Sequence, residues 1–181
     1  MTTWVAFLRG VNVGRAKRIA MADLRALCES QGFKNVRTVQ NSGNVVFDSR
    51  IKDSGTLARR FEAALSARHG FHANTVFITL EMLERIVRNN PLGPPKRPSQ
   101  FLVGIPYGAT AMQFTGSLDQ RDWSPDRFGR TGDAVYLEAT TGLLESAMVI
   151  EFMRISKDMF TTRNWGTLQR VMDAAKAGLK P

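Results

Sequence analysis

Val36-Arg37-Thr38-Val39-Gln40-Asn41-Ser42-Gly43-Asn44-Val45-Val46-Phe47-Asp48 is the stretch that decides the fold. Two β-rich runs, Val36–Val39 and Asn44–Asp48, flank Asn41-Ser42-Gly43, which supplies the positive-φ positions a tight hairpin requires. Upstream, Met21, Leu24, Leu27 and Cys28 share one face of a helix that begins near Ile19, with Asp23, Arg25 and Glu29 opposite. Gly32 stands where a left-handed C-terminal cap belongs, and Phe33 can fold back on the last turn. Further upstream, Trp4–Leu8 reads as a strand leaving into a loop marked by Gly10 and Gly14. Downstream, a helix from about Thr56 carries Leu57, Phe61, Ala64 and Leu65 on one face and stops at Gly70-Phe71. Asn74–Thr79 is then a strand, with Val76 and Ile78 on one face and Phe77 on the other. Strand, helix, strand, strand, helix, strand is the split βαβ order called ferredoxin-like.

A short helix, Glu81–Arg88, is ended by Pro91. Pro91–Ser99 holds four of the seven prolines and reads as a linker. Beyond it the order returns. Phe101–Ile105 is a strand and Thr110–Leu118 a weak helix or turn. Arg127–Arg130 and Ala134–Glu138 form a hairpin across Thr131-Gly132-Asp133. Leu143–Ile155 is a helix, Met159–Thr162 a strand, and Trp165–Lys176 a closing helix with Trp165, Leu168, Val171, Met172 and Ala175 on one stripe. The expectation is an α+β chain of two ferredoxin-like (α-β plait, βαββαβ) subdomains, 1–90 and 100–181, joined by the Pro-rich linker 91–99, with additional helices. Val5-Ala6-Phe7-Leu8, Val45-Val46-Phe47 and Phe101-Leu102-Val103 are apolar on both faces, so something must cover the face that a ferredoxin-like sheet leaves bare. The other subdomain, the additional helices or a partner chain could do so, and the chain is expected to be a monomer or homodimer.

Charge adds a second constraint. The formal net charge is +9. Residues 1–95 carry 14 Lys and Arg against 7 Asp and Glu, and residues 96–181 carry 11 against 9, so the excess lies in the first half. A basic balance favours nucleic acid or a phosphorylated small molecule as partner, although it also serves solubility. No apolar run is long enough for a membrane span, and Trp4-Val5-Ala6-Phe7-Leu8 follows too directly for a secretion signal. With one cysteine there is no internal disulfide, and the expected compartment is the cytoplasm.

Leu8-Arg9-Gly10-Val11-Asn12-Val13-Gly14, Gln40-Asn41-Ser42-Gly43-Asn44 and Thr161-Thr162-Arg163-Asn164-Trp165 together resemble the domain of unknown function 1697 family of bacterial proteins. The resemblance implies a pair of α-β plaits and transfers no catalytic residue. This chain has Ser146-Ala147-Met148 where family members often have Ser-Lys-Leu. It also has Thr167 where many carry a second asparagine.

Two readings stand for each candidate site. The loop holding Arg9, Arg15, Lys17 and Arg18 has no acid before Asp23, and its glycines and the following helix start could direct N–H groups at an anion. Alternatively, Gly10 and Gly14 only shape the exit from the strand while Asn12 caps the loop. It matches no nucleotide-binding motif. Arg163-Asn164-Trp165 is expected to open the last helix, with Thr162 or Asn164 as N-cap, which places Arg163 where a helix dipole disfavours a cation. It then calls for a carboxylate of the chain or an anionic ligand. His69 and His72 lack further ligands for a metal, and Cys28 lies on an apolar helix face. Neither a metal nor a cofactor is expected.

RNA-recognition modules of this fold stack bases on aromatic residues of the central strands. Trp4 and Phe7 fall on opposite faces here and Asn44–Asp48 offers only Phe47, so if the second sheet face is covered no stacking platform remains. Two functions remain. One is a non-enzymatic binding protein for an anionic partner, contacted through Arg9, Asn12, Arg15, Lys17 and Arg18, with Arg163 and Asn164 as further candidates. The other is an enzyme whose cleft between the subdomains is lined by Arg9, Asn12, Arg163 and Asn164.

Overall fold

Val39 and Asn44 face each other across the turn of the expected hairpin. The turn takes its left-handed residues at Gln40 (φ 59°) and Gly43 (φ 70°). Asn44, fully buried, donates to the carbonyl of Val39 and to Ser42 Oγ, both at 2.9 Å, and so holds the turn from inside. The computed structural model describes residues 1–178, Ala109 by its backbone only. The last three residues of the expected second subdomain lie outside that range.

The first half forms β1 (Thr2–Leu8), α1 (Met21–Ser30), β2 (Lys34–Val39), β3 (Asn44–Ser49), α2 (Ser54–His69) and β4 (Thr75–Thr79), followed by α3 (Leu80–Arg88). The sheet order is β2-β3-β1-β4, all antiparallel, as a ferredoxin-like unit requires. Trp4, Ala6 and Leu8 of β1, with Val45, Phe47 and Phe77, pack under Leu24, Leu27 and Cys28 of α1 and Leu57, Phe61 and Leu65 of α2. Phe33 stacks on Phe47 with centroids 4.2 Å apart, and Phe77 meets Phe47 and Phe61 edge-on. Each such pair contributes about 0.5–1.5 kcal/mol beyond its burial. The opposite face holds Val5, Phe7 and Val46, and these too are fully buried within the single chain. Asp53, which the sequence reading did not single out, N-caps α2 by accepting from the Thr56 amide at 2.7 Å.

The second half repeats the topology. β5 (Phe101–Pro106), β6 (Arg127–Arg130), β7 (Val135–Glu138) and β8 (Phe160–Asn164) form a sheet of order β6-β7-β5-β8, accompanied by α4 (Ala147–Ser156) and α5 (Trp165–Ala177). The weak helix expected at Thr110–Leu118 is a 3-10 segment, Ala109–Leu118. Helix α4 starts four residues later than its apolar pattern suggests. Ser146 is the reason: its Oγ accepts the Val149 amide at 3.1 Å, and its own amide is turned back to Gly142 at 3.0 Å.

The chain divides into two compact units, Met1–Leu83 with Arg170–Pro181, and Glu84–Gln169. These divisions fall inside α3 and α5 rather than in the proline-rich stretch. The proline-rich chain packs with the second unit, where a side chain at Gly129 would meet Pro91 and Leu92, and Arg127 donates to the Leu92 carbonyl at 2.7 Å. Among the described residues, no helix is long and apolar enough to cross a membrane.

Candidate functional site

The basic loop is held by hydrogen bonds to backbone groups, its own and those of neighbouring segments. Leaving β1, Leu8 N–H donates to the Gly43 carbonyl at 2.8 Å and Arg9 N–H to the Asn74 carbonyl at 2.9 Å. The chain then passes three left-handed residues, Gly10, Asn12 and Gly14. Between them Val11 turns inward, 1% exposed, and fills the space under Gly43. A side chain at Gly43 would collide with Val11 and come within 2.9 Å of Leu8 Cβ, so the loop and the β2–β3 hairpin interlock only because residue 43 is glycine.

Asn12 closes the loop. Its Nδ2 donates to the carbonyls of Ile19 and Asn41, each at 2.9 Å, and its Oδ1 accepts the Ile19 amide at 3.0 Å. Its own N–H donates to the Lys17 carbonyl at 2.7 Å. Asparagine suits the position twice over, since it tolerates φ 57° and both ends of its amide are used. Asn12 therefore shapes the site; its side-chain N–H groups are taken up by the carbonyls of Ile19 and Asn41.

The four cations divide. Arg9 is half-buried and engaged within the protein. Arg15 and Arg18 are exposed and Lys17 half-buried, and among the described residues none of these three forms an ion pair. Their mutual repulsion is small, about 0.4 kcal/mol for unit charges roughly 10 Å apart in water, so crowding alone demands no ligand. What surrounds them is more informative. Beside Arg18 lies a hollow of about 630 Å³ lined also by Asn12, Ile19, Ala20, Met21 and Asn41. Helix α1 starts on its rim, and no side chain caps it at Ala20. Its first-turn amides and the positive end of its dipole thus lie at the edge of the hollow.

The C-terminal motif differs from expectation. Arg163 does not open a helix. It lies in β8, opposite Val103 of β5, and the ladder continues to Asn164 opposite Leu102. The β-branched pair Thr161-Thr162 favours extended chain, and the helix waits for Trp165. The mismatch with a helix dipole therefore disappears. Arg163 folds along its own strand, donating to Thr161 Oγ1 at 3.0 Å and the Thr162 carbonyl at 2.8 Å, and makes further interactions within the chain. Loss of water around the guanidinium pushes its pKa down to about 10. Asn164 is the N-cap of α5, its Oδ1 accepting the Thr167 amide at 2.8 Å.

The remaining candidates are structural. Cys28 is buried, and desolvation with the Glu29 charge pushes its thiol up to about 12. His72 Nε2 lies 2.6 Å from Asn74 Oδ1. Among the described residues no group of three or more His, Cys, Asp or Glu could hold a metal ion. Trp4, Phe7 and Phe47 are all buried, so β1 and β3 expose no ring for a base.

Two features escaped the sequence reading. Asp126 is 8% exposed. Burial alone would raise its pKa, but hydrogen bonds from Ser146, Thr140 and Thr141 hold its carboxyl below the usual range. Glu138, also buried, pairs with Arg127 at 2.8 Å.

A family model described as "Protein of unknown function (DUF1697)" matches residues 1–136, which include the loop and the hairpin. The chain belongs to the DUF1697 family. The Thr161–Trp165 motif lies beyond the matched residues. This DUF1697 chain is also similar in structure to a protein described as the conserved bacterial protein SP0830 from Streptococcus pneumoniae. The TM-score is 0.81 at 19% sequence identity, covering 96% of this chain and 98% of the other. That likeness concerns the fold. No curated protein matches this DUF1697 sequence.

Proposed function

We propose that this chain is a non-enzymatic binding protein for an anionic, phosphate-bearing partner, either nucleic acid or a phosphorylated small molecule, held at the loop 9–18. The observation that carries the reading is the arrangement around the hollow at Asn12. Among the described residues Arg15, Lys17 and Arg18 form no ion pair, and of the three Arg18 lines the hollow on whose rim the uncapped start of α1 lies. Backbone amides at a helix start recognise phosphate oxygens, and nearby cations strengthen that contact and draw the anion in. Arg9 and Asn12 hold the loop in shape. Asn164 caps a helix and Arg163 runs along its own strand, so neither belongs to this reading.

The test is fluorescence anisotropy with a labelled oligonucleotide, and calorimetry with inorganic phosphate and a nucleoside monophosphate, at low salt. The wild type should bind. Arg15→Ala, Lys17→Ala and Arg18→Ala together should weaken binding by at least about tenfold, and affinity for the oligonucleotide should fall steeply with added salt. No binding by the wild type at low salt, or equal binding by the triple variant, overturns the proposal.

A further inference from the structure

The second unit has a hollow of its own, with charged side chains in its lining, at the end of its sheet where β7 finishes and β5 begins. It encloses about 330 Å³, and its lining includes Lys96, Arg97, Gln100, Arg127, Glu138 and Thr140. Glu138 is only 7% exposed. Its Oε2 accepts from Arg127 at 2.8 Å, while the same guanidinium donates to the Leu92 carbonyl at 2.7 Å, so this carboxylate is held in one orientation. Among the described residues its other oxygen, Oε1, receives no hydrogen bond, yet it is not sealed away from solvent. A nearly buried carboxylate thus keeps one lone acceptor open to the hollow.

The surrounding charge narrows what that acceptor can take. Lys96 and Arg97 are exposed and form no ion pair among the described residues, and Arg97 makes one long bond, 3.3 Å, to Gln100 Oε1. Three cations face one carboxylate, an excess of two positive charges. An ammonium offered to Glu138 would sit among those cations, whereas a neutral hydroxyl donates to the same oxygen without repulsion. The volume stands at the small end of ligand pockets, which run from about 300 to 1,000 Å³. A molecule of a few carbons fits, and a polymer can only touch the rim.

We infer that this hollow is a binding site for a small organic anion that carries a hydroxyl beside its phosphate or carboxylate. The anionic group lies against Lys96 and Arg97, and the hydroxyl donates to Glu138 Oε1. The site stands on the second unit and shares no residue with the loop 9–18, so it holds or fails independently of the function proposed above.

Four probes test it in pairs by NMR titration, read at the amides of Gln100, Ala139 and Thr140: glycerol 3-phosphate against propyl phosphate, and glycerate against propionate. The pair containing the tightest binder says whether phosphate or carboxylate is preferred. Within that pair the hydroxylated member should bind about tenfold more tightly, the worth of one hydrogen bond to a charged acceptor. Lys96→Ala with Arg97→Ala should weaken both members by about tenfold or more, and because both side chains are exposed this variant should fold normally. Glu138→Gln can keep its bond to Arg127 but turns an NH2 towards the hollow. The hydroxyl can then only accept from a neutral NH2 in place of donating to a charged oxygen, so the preference for it should fall several-fold while the deoxy compound is spared. Absence of saturable binding by all four probes, equal affinities within each pair, or binding unaffected by the Lys96/Arg97 variant overturns the inference.

Discussion

Asn12 and Ile19 hold each other by two reciprocal hydrogen bonds: the Ile19 amide donates to Asn12 Oδ1 at 3.0 Å, and Asn12 Nδ2 donates back to the Ile19 carbonyl at 2.9 Å. The pair closes the segment carrying Arg15, Lys17 and Arg18 into a ring. A third bond, to the Asn41 carbonyl, fastens that ring to the hairpin.

Asn12→Ala removes all three side-chain bonds and puts a residue with less tolerance of the left-handed region at φ 57°. The predicted cost is about 2–4 kcal/mol, combining lost hydrogen bonds with left-handed strain. Urea denaturation measures it. Asn12→Gly should lose less, because glycine accepts the backbone angle, and the difference between the two variants isolates the strain. A loss below the error of the method in both would show that the clamp contributes nothing.

Gly43→Ala and Gly14→Ala separate packing from backbone strain. Both positions have positive φ, but a side chain at Gly14 meets nothing within 4 Å, whereas at Gly43 it strikes Val11 and Leu8. Gly14→Ala is expected to cost about 1 kcal/mol and Gly43→Ala at least about 2 kcal/mol more. Thermal melts of the two side by side decide it, and equal shifts would refute the interlock.

Cys28 gives a pH-dependent prediction. Its folded-state pKa, about 12, lies above the ordinary value of 9.0, so the folded protein holds the thiol proton more tightly than the unfolded chain does. That contribution to stability is fully present below about pH 9 and lost as pH rises towards 12. Unfolding free energy of the wild type should therefore fall more steeply over that range than that of Cys28→Val. Iodoacetamide should leave the native thiol unmodified at pH 8 and label it once urea unfolds the chain.

Asp133 gives the opposite sign. Arg85 grips it with two bonds, 2.6 and 2.9 Å long, and holds its carboxyl below the usual range. The contribution is present above the unfolded carboxylate pKa, near 3.9, and is lost as pH falls through the lower folded value. Both side chains keep solvent contact, so Asp133→Asn should cost only about 1 kcal/mol at pH 7. The difference from wild type should vanish in acid. A cost that persists at low pH would mean that the pair acts through packing instead.

Both halves of the fold were legible because their signals are local. Alternating apolar runs, Gly32 and Gly70 at helix ends, and Gly43 in a turn each act within a few residues. The start of α4 was missed because the apolar pattern runs back to Leu143, while a single hydroxyl, that of Ser146, decides where the helix begins. Arg163 was misplaced for a different reason. Thr162 and Asn164 looked equally able to cap the helix, so the residue between them could join it or not until the pairing of β8 with β5 fixed it as strand. The hollow at Glu138 was only half legible. Arg127 and Glu138 stand on the two arms of the expected hairpin, but Lys96 and Arg97 lie about thirty residues before it, and nothing in the spacing of a proline-rich stretch announces that it packs against the hairpin of the second sheet.

The ring closed by Asn12 also limits how a ligand can be received. A loop fastened at Ile19, Lys17 and Asn41, with Val11 plugged beneath it, has lost most of its conformational freedom before any encounter. It cannot wrap a guest by folding around it. The association proposed for this loop should therefore be a rigid docking event, fast and guided by charge, and discrimination among anions should come from how well their shape fits a surface already set.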